Sequence, residues 1–227
     1  MTIQSVKFEA RGGGEVAGEL ALPSGGGKGP AVVLLQEWWG VNDHIRSLLR
    51  RLAGAGFVAV APDLYHGKTT KDPEEAGKLM TALDTLQAVK EIGGAVDFAR
   101  AHERSNGHVG VTGFCLGGAL TLASACHIEG LGAAVAFYGI PPADKVDYAR
   151  ATAPLLGHFA SRDGWVTPER AHQVQAQIAQ HGKTSLRVEM YEADHAFVND
   201  TRPDVYNAEA AAIAWVRSVD FLREHLR

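Results

Sequence analysis

The chain has 227 residues, 46% of them hydrophobic, and a formal net charge of −4. That length suits one large core, and a single α/β domain over residues 1–227 is the expectation. Acidic and basic residues are interspersed, with no basic stripe for nucleic acid and no polybasic segment for a membrane surface, so small molecules are the expected partners. The first seven residues lack the positive flank and apolar core of a signal peptide, and no apolar run reaches the length of a membrane span. A cytoplasmic protein is therefore expected.

In chain order, two alternating segments, 6–10 and 15–22, flank Gly12-Gly13-Gly14 and predict a β-hairpin. Ser24-Gly25-Gly26-Gly27-Lys28-Gly29 follows as a surface connection. It lacks the strand before, the helix after and the Lys-Ser/Thr ending that a phosphate loop requires. Short apolar runs at 31–35, 57–61, 109–111, 133–137, 155–159 and 186–190 suit strands buried on both faces. Helical patterns lie between and after them, at 43–53, 73–103 with a break near Thr81, 115–127, 168–181 and 203–226. Strands alternating with amphipathic helices predict a mostly parallel sheet with helices on both faces, extended by the antiparallel N-terminal hairpin. Together with the strand-turn-helix element described next, it leads to the expectation of an α/β-hydrolase fold.

The most informative stretch is Gly113-Phe114-Cys115-Leu116-Gly117-Gly118, set between an apolar strand and an Ala-rich helix. Glycines on both sides let a chain turn sharply from strand to helix, so the central side chain stands exposed beside free backbone N–H groups. Here that side chain is a thiol, and Cys115 is the candidate nucleophile; simple packing at a helix start is the alternative. The other cysteine, Cys126, lies in the same helix roughly 16 Å away at 1.5 Å per residue, too far for a disulfide. It reads as a small buried residue.

Functional groups in an open α/β sheet gather beyond the C-terminal strand ends. Asp163 follows the strand at 155–159 and His195 follows the one at 186–190, giving the chain order nucleophile, acid, histidine. In that arrangement His195 moves the thiol proton and Asp163 fixes its tautomer. A helix cap for Asp163 and a structural role for His195 are the alternatives. Asp194, adjacent to His195, reads as a turn residue. The other nine histidines show no metal-ligand spacing.

Gln36-Glu37-Trp38-Trp39-Gly40-Val41-Asn42 follows the first central strand, where a hydrolase supplies its second oxyanion N–H. The expected hole is the backbone of Leu116 and Trp38. Glu37 would repel an oxyanion unless it is paired or turned away, and a structural salt bridge is its other reading. Trp39, Tyr65, His66, Trp165, Phe197, Asn199 and Arg202 are candidate pocket walls; core packing competes for the aromatic ones and solvation for Arg202.

Taken together, Gln36-Glu37 with Gly40-Val41-Asn42, the cysteine elbow, Asp163 and His195-Ala196-Phe197 resemble the dienelactone hydrolase family over nearly the whole chain. The resemblance implies a monomeric, cofactor-free enzyme that opens enol-lactones or esters through a thioester. It also implies that Glu37 interacts with the resting thiol and responds to substrate. The family holds a substrate carboxylate with two arginines, one after the second central strand and one four residues beyond the histidine. This chain has no arginine between positions 52 and 99, and the latter place is Asn199. Arg202 or Lys78 are the available replacements, while Trp38, Trp39 and Trp165 would instead favour an apolar group. The readings that follow are a dienelactone-type hydrolase, a general carboxylesterase for neutral, aryl or other activated esters including organophosphates, and a non-catalytic thiol sensor.

Overall fold

The computed structural model describes residues 1–227. Eight strands form one sheet: β1 (Ile3–Glu9), β2 (Glu15–Ala21), β3 (Gly29–Leu35), β4 (Val58–Pro62), β5 (Ser105–Phe114), β6 (Ala133–Phe137), β7 (Leu155–Ala160) and β8 (Leu186–Tyr191). Their order across the sheet is β1-β2-β4-β3-β5-β6-β7-β8. The glycine turn closes the β1–β2 hairpin with all three residues at positive φ, and β2 then pairs antiparallel with β4. Every other pairing is parallel.

Six helices cover this sheet: α1 (Asp43–Gly54), α2 (Pro73–Ala82), α3 (Thr85–Ala101), α4 (Leu116–His127), α5 (Pro168–Ala179) and α6 (Ala208–His225). The central strands are uninterrupted Val, Leu and Ala because both faces are buried. Ala31, Val33 and Leu35 of β3 pack towards α3, while Val32 and Leu34 pack towards α1 and α6. Burying a Leu or Val side chain contributes about 1.5–3 kcal/mol, so the fully covered Ile45, Leu48, Leu49 and Leu52 fix α1 to its face. Asn42 starts α1 by accepting from the Ile45 N–H at 3.1 Å.

Several boundaries differ from the sequence expectation. The break expected near Thr81 falls at Leu83-Asp84, because Asp84 accepts from the Gln87 N–H and caps α3. The last helix starts at Ala208, not at Pro203; Asn207 caps it, and residues 202–206 form turns first. Cys115 precedes α4 instead of opening it, and β5 begins at Ser105. His158, inside β7, is a core residue: burial pulls it down to about 3, and its ring nitrogens bond Tyr191 and Ser218. No helix is long and apolar enough to cross a membrane.

This topology positions the site. The chain runs outward from β3 to β4, then crosses back to β5 and onward to β8. The strand order therefore reverses between β3 and β5, and a crevice opens at their C-terminal ends. Glu37 and Trp38 leave β3 on one side of it, and Cys115 leaves β5 on the other.

Candidate active site

Cys115 has φ 55° and ψ −113°, a left-handed-side conformation that a non-glycine residue adopts only where its surroundings enforce it. The enforcement is visible on both sides. Its N–H donates to the Phe137 carbonyl at 3.0 Å, and its carbonyl accepts from Ala119 at 3.1 Å. Gly117 lies so close to the end of β3 that a Cβ there would sit 2.5 Å from the Leu35 oxygen and 2.6 Å from that of Gln36. Gly139 packs equally tightly against the Cys115 carbonyl. The thiol is thus held at the helix N-terminus by backbone contacts, not by side-chain packing.

His195 and Asp163 meet above the ends of β7 and β8. The His195 Nδ1 to Asp163 Oδ2 distance is 2.7 Å, and the Asp163 side chain is fully buried. Asp163 Oδ1 accepts from the backbone of Trp165 at 2.8 Å and Val166 at 3.0 Å. Burial alone would push this carboxyl up, but the histidine and the two amides outweigh it and hold it below its ordinary value. Burial would likewise pull His195 down, yet Asp163 and Cys115 together raise it to about 10. His195 Nε2 is buried and faces Cys115 with no other hydrogen-bond partner. Asp194 turns away from the ring and pairs with Arg162 at 3.1 Å.

Glu37 is almost completely buried, and no cation lies within ion-pairing distance, which overturns the salt-bridge reading. Its Oε2 accepts from Asn199 Nδ2 at 2.7 Å and its Oε1 from the Tyr138 hydroxyl at 3.4 Å. Neither oxygen is bound to the thiol. Burial pushes this carboxyl up, against the opposing pull of His44, Asn199, His195 and Arg202.

A cleft of about 570 Å³ opens over Cys115 and His195. Trp38 and Trp165 meet edge to face at 5.5 Å, Trp38 and Trp39 at 4.8 Å, and Trp165 stacks on His195 at 5.7 Å. Trp38, Trp39, Trp165 and Arg202 line this cleft as expected. Four other expected pocket residues, His66 among them, do not. Phe197 is wholly buried between Tyr138 and Tyr191, Tyr65 is buried behind the cleft, and Asn199 points at Glu37. Apolar residues after a strand serve the core as readily as a pocket, and sequence position does not separate the two. His66 lies against Glu91 at 3.6 Å, and Lys78 pairs with Glu74 on α2.

Two residues that sequence reasoning did not single out belong to the site. Tyr138 follows β6 at φ 37°, touches Glu37 and packs edge-on against His195 at 5.1 Å. Its signal was a hydroxyl-bearing aromatic followed by glycine at a strand end. Arg162 lines the cleft directly before Asp163, again at a strand end. Both rim arginines are locally paired, Arg162 with Asp194 and Arg202 with Asp204 at 2.7 Å.

A mostly parallel sheet with a strained cysteine turn at its switch point, and a buried acid–histidine pair beyond β7 and β8, defines the α/β-hydrolase class. Residues 16–226 match the model of the dienelactone hydrolase family, and the chain belongs to that family. It is accordingly a hydrolase of carboxylic ester or lactone bonds. Protein usf of Aquifex pyrophilus is 36% identical over 98% of this chain and 99% of its own length. Carboxymethylenebutenolidase 1 of Cupriavidus pinatubonensis is 30% identical over 98% of this chain and 97% of its own. Among solved structures, a dienelactone hydrolase-like promiscuous phosphotriesterase from metagenomic libraries superimposes with a TM-score of 0.87 at 24% identity, covering 100% of this chain and 99% of the other.

Proposed function

We propose that this protein hydrolyses small activated esters or lactones through a thioester on Cys115. The observation that carries the proposal is the thiol's enforced backbone conformation at the N-terminus of α4, beside a histidine hydrogen-bonded to a buried aspartate. An imidazolium and a helix N-terminus both favour negative charge on sulfur. Sγ attacks the carbonyl carbon, a C–S bond forms, and the carbonyl electron pair moves to oxygen. The first-turn N–H of Leu116 has no intrahelical acceptor and that of Trp38 donates to no backbone carbonyl, so both serve the oxyanion. The C–O bond then breaks and His195 gives its proton to the leaving oxygen. A water attacks the thioester, leaves its proton on His195 and releases the acid, regenerating the thiolate.

Two substrate classes are distinguished by the cleft. Arg162 and Arg202 line it and support a carboxylate-bearing lactone, for which they would leave Asp194 and Asp204. The three tryptophans favour a neutral aryl ester, which needs no ion pair to open. Turnover of dienelactone and of a neutral aryl ester, measured side by side in wild type and Cys115→Ala, tests both levels. Loss of at least about a thousandfold with both substrates supports the nucleophile. Undiminished turnover in Cys115→Ala overturns it and leaves the thiol a sensor. Preference for dienelactone selects the arginine-anchored reading, and preference for the aryl ester selects the general esterase.

A further inference from the structure

Trp39 and Arg202 are walls shared by two cavities, the cleft over Cys115 and a side chamber of about 360 Å³. Acidic and basic groups both line the cleft, Glu37 and Asp194 beside Arg162 and Arg202. No carboxylate lines the chamber. Of its seven lining residues only Trp39 is hydrophobic, and the two charged ones are Lys71 and Arg202.

Backbone contacts hold Lys71 at this wall. The chain between β4 and α2 packs so closely on the turn after β3 that a Cβ at Gly40 would lie 2.5 Å from the Lys68 oxygen. The Thr70 N–H donates to the Trp39 carbonyl at 3.2 Å. On the other side of Lys71, Asp72 donates its N–H to Thr70 Oγ1 at 3.0 Å and caps α2 by accepting from the Glu75 N–H at 2.9 Å. The carboxylates that flank the lining residues in the chain are already engaged: Asp43 with Arg46, Asp200 with His44, Glu74 with Lys78, Asp204 with Arg202, and Glu75 with the Thr70 hydroxyl. Lys71 alone has no ion-pair partner there.

The hydrogen-bonding groups sort in the same way. Asn42 Oδ1 accepts from the Ile45 N–H, and Asn199 spends its oxygen on Thr201 and its nitrogen on Glu37. Arg202 commits only Nη2, to Asp204. Asn42 Nδ2, Lys71 Nζ and the remaining nitrogens of Arg202 are left over, and all of them are donors. With Arg202 balanced by Asp204, the chamber holds one uncompensated cation, which matches a monoanion better than a phosphate dianion. Trp165 stacks on His195, the group that serves the leaving oxygen, so the leaving group lies along Trp165 and the acyl arm runs the other way, past Trp39.

We propose that the chamber binds a carboxylate at the far end of the acyl arm, that half-esters of dicarboxylic acids with a chain long enough to pass Trp39 are the favoured substrates, and that Lys71 determines this specificity. The direction of the acyl arm rests on the thioester reading above; the affinity of the chamber for a carboxylate does not.

Two measurements on the full chain test this. The first compares kcat/KM for the para-nitrophenyl half-ester of adipic acid and for para-nitrophenyl hexanoate, whose acyl chains have equal length. Wild type should prefer the half-ester by about three- to tenfold, less as salt screens the exposed ammonium. Lys71→Gln should abolish the preference and Lys71→Arg keep it. The second titrates the monoamide of adipic acid and hexanamide into Cys115→Ala, read by tryptophan fluorescence, with the same contrast expected and the same loss on adding Lys71→Gln. Equal binding of the two amides, or a preference that survives Lys71→Gln, overturns the assignment and leaves the nucleophile standing. A Lys71-dependent contrast in binding, found together with undiminished turnover in Cys115→Ala, keeps the chamber and discards the thioester.

Discussion

The elbow and the rim line the same cleft and are built in opposite ways. At the elbow, backbone meets backbone: Gly117 lies against the Leu35 and Gln36 carbonyls, Gly139 against that of Cys115, and the turn has no room to relax. At the rim, Trp165 is 64% exposed, and Arg162 and Arg202 each hold an aspartate close by. The proposed nucleophile is thus fixed by chain geometry, whereas the groups proposed to meet the substrate are side chains paired at the surface. In proteins of this class, chemistry and selectivity can change independently for that reason.

The largest effect that tests this division comes from the support of the fixed half. Asp163→Asn keeps the shape but loses the charge that holds His195 protonated, and kcat should fall by about a hundredfold to ten-thousandfold. The alkaline limb of the kcat/KM profile, expected near 10 in wild type, should move to lower pH, since Asp163 raises His195. A steady-state pH series checks both.

Gly117→Ala follows, because its Cβ must displace the end of β3. Overpacking of this kind costs about 1–3 kcal/mol, and thermal unfolding should show it together with lost turnover. An alanine tolerated there with full activity would break the contrast between elbow and rim. Trp165→Ala probes the adaptable half: an edge-to-face aromatic contact is worth about 0.5–1.5 kcal/mol, so KM for an aryl ester should rise by up to about tenfold with kcat less affected.

A further effect is on stability against pH. The folded-state value of His195, about 10, lies above its ordinary 6.5. Its contribution is therefore fully present below 6.5 and is lost as pH rises through about 10. His195→Gln should lower Tm more at pH 6 than at pH 10.5, as paired melts would show.

What was legible in the sequence tracks this same division. Uninterrupted apolar runs mark the parallel strands because both faces of the sheet are covered, and glycines at 113, 117 and 118 mark the elbow because only a missing Cβ permits that approach. Asp163 and His195 were found by their places at successive strand ends. Their mutual contact spans 32 residues and needed the structure to be seen. The rim was poorly legible. Phe197 and Tyr65 occupy positions that suit a pocket wall, but their side chains turn inward, and nothing local encodes that choice. Asn199 was placed on the wall for the same reason, and its amide is instead spent on Glu37. Tyr138 and Arg162 were missed because their meaning lies wholly in long-range contacts.

The two cysteines have one more consequence. Cys126 is buried in α4 and its thiol is pushed up to about 12 by burial, while Cys115 is partly exposed to the cleft. A buried, raised thiol reacts slowly with alkylating reagents, so the expected count is one accessible thiol in the native protein and two in the unfolded protein. The ratio of thiols counted in buffer to those counted in denaturant is then a head-count of correctly folded turns in any preparation. It requires no substrate, and it can normalise the specific activity of every variant described above that keeps both cysteines.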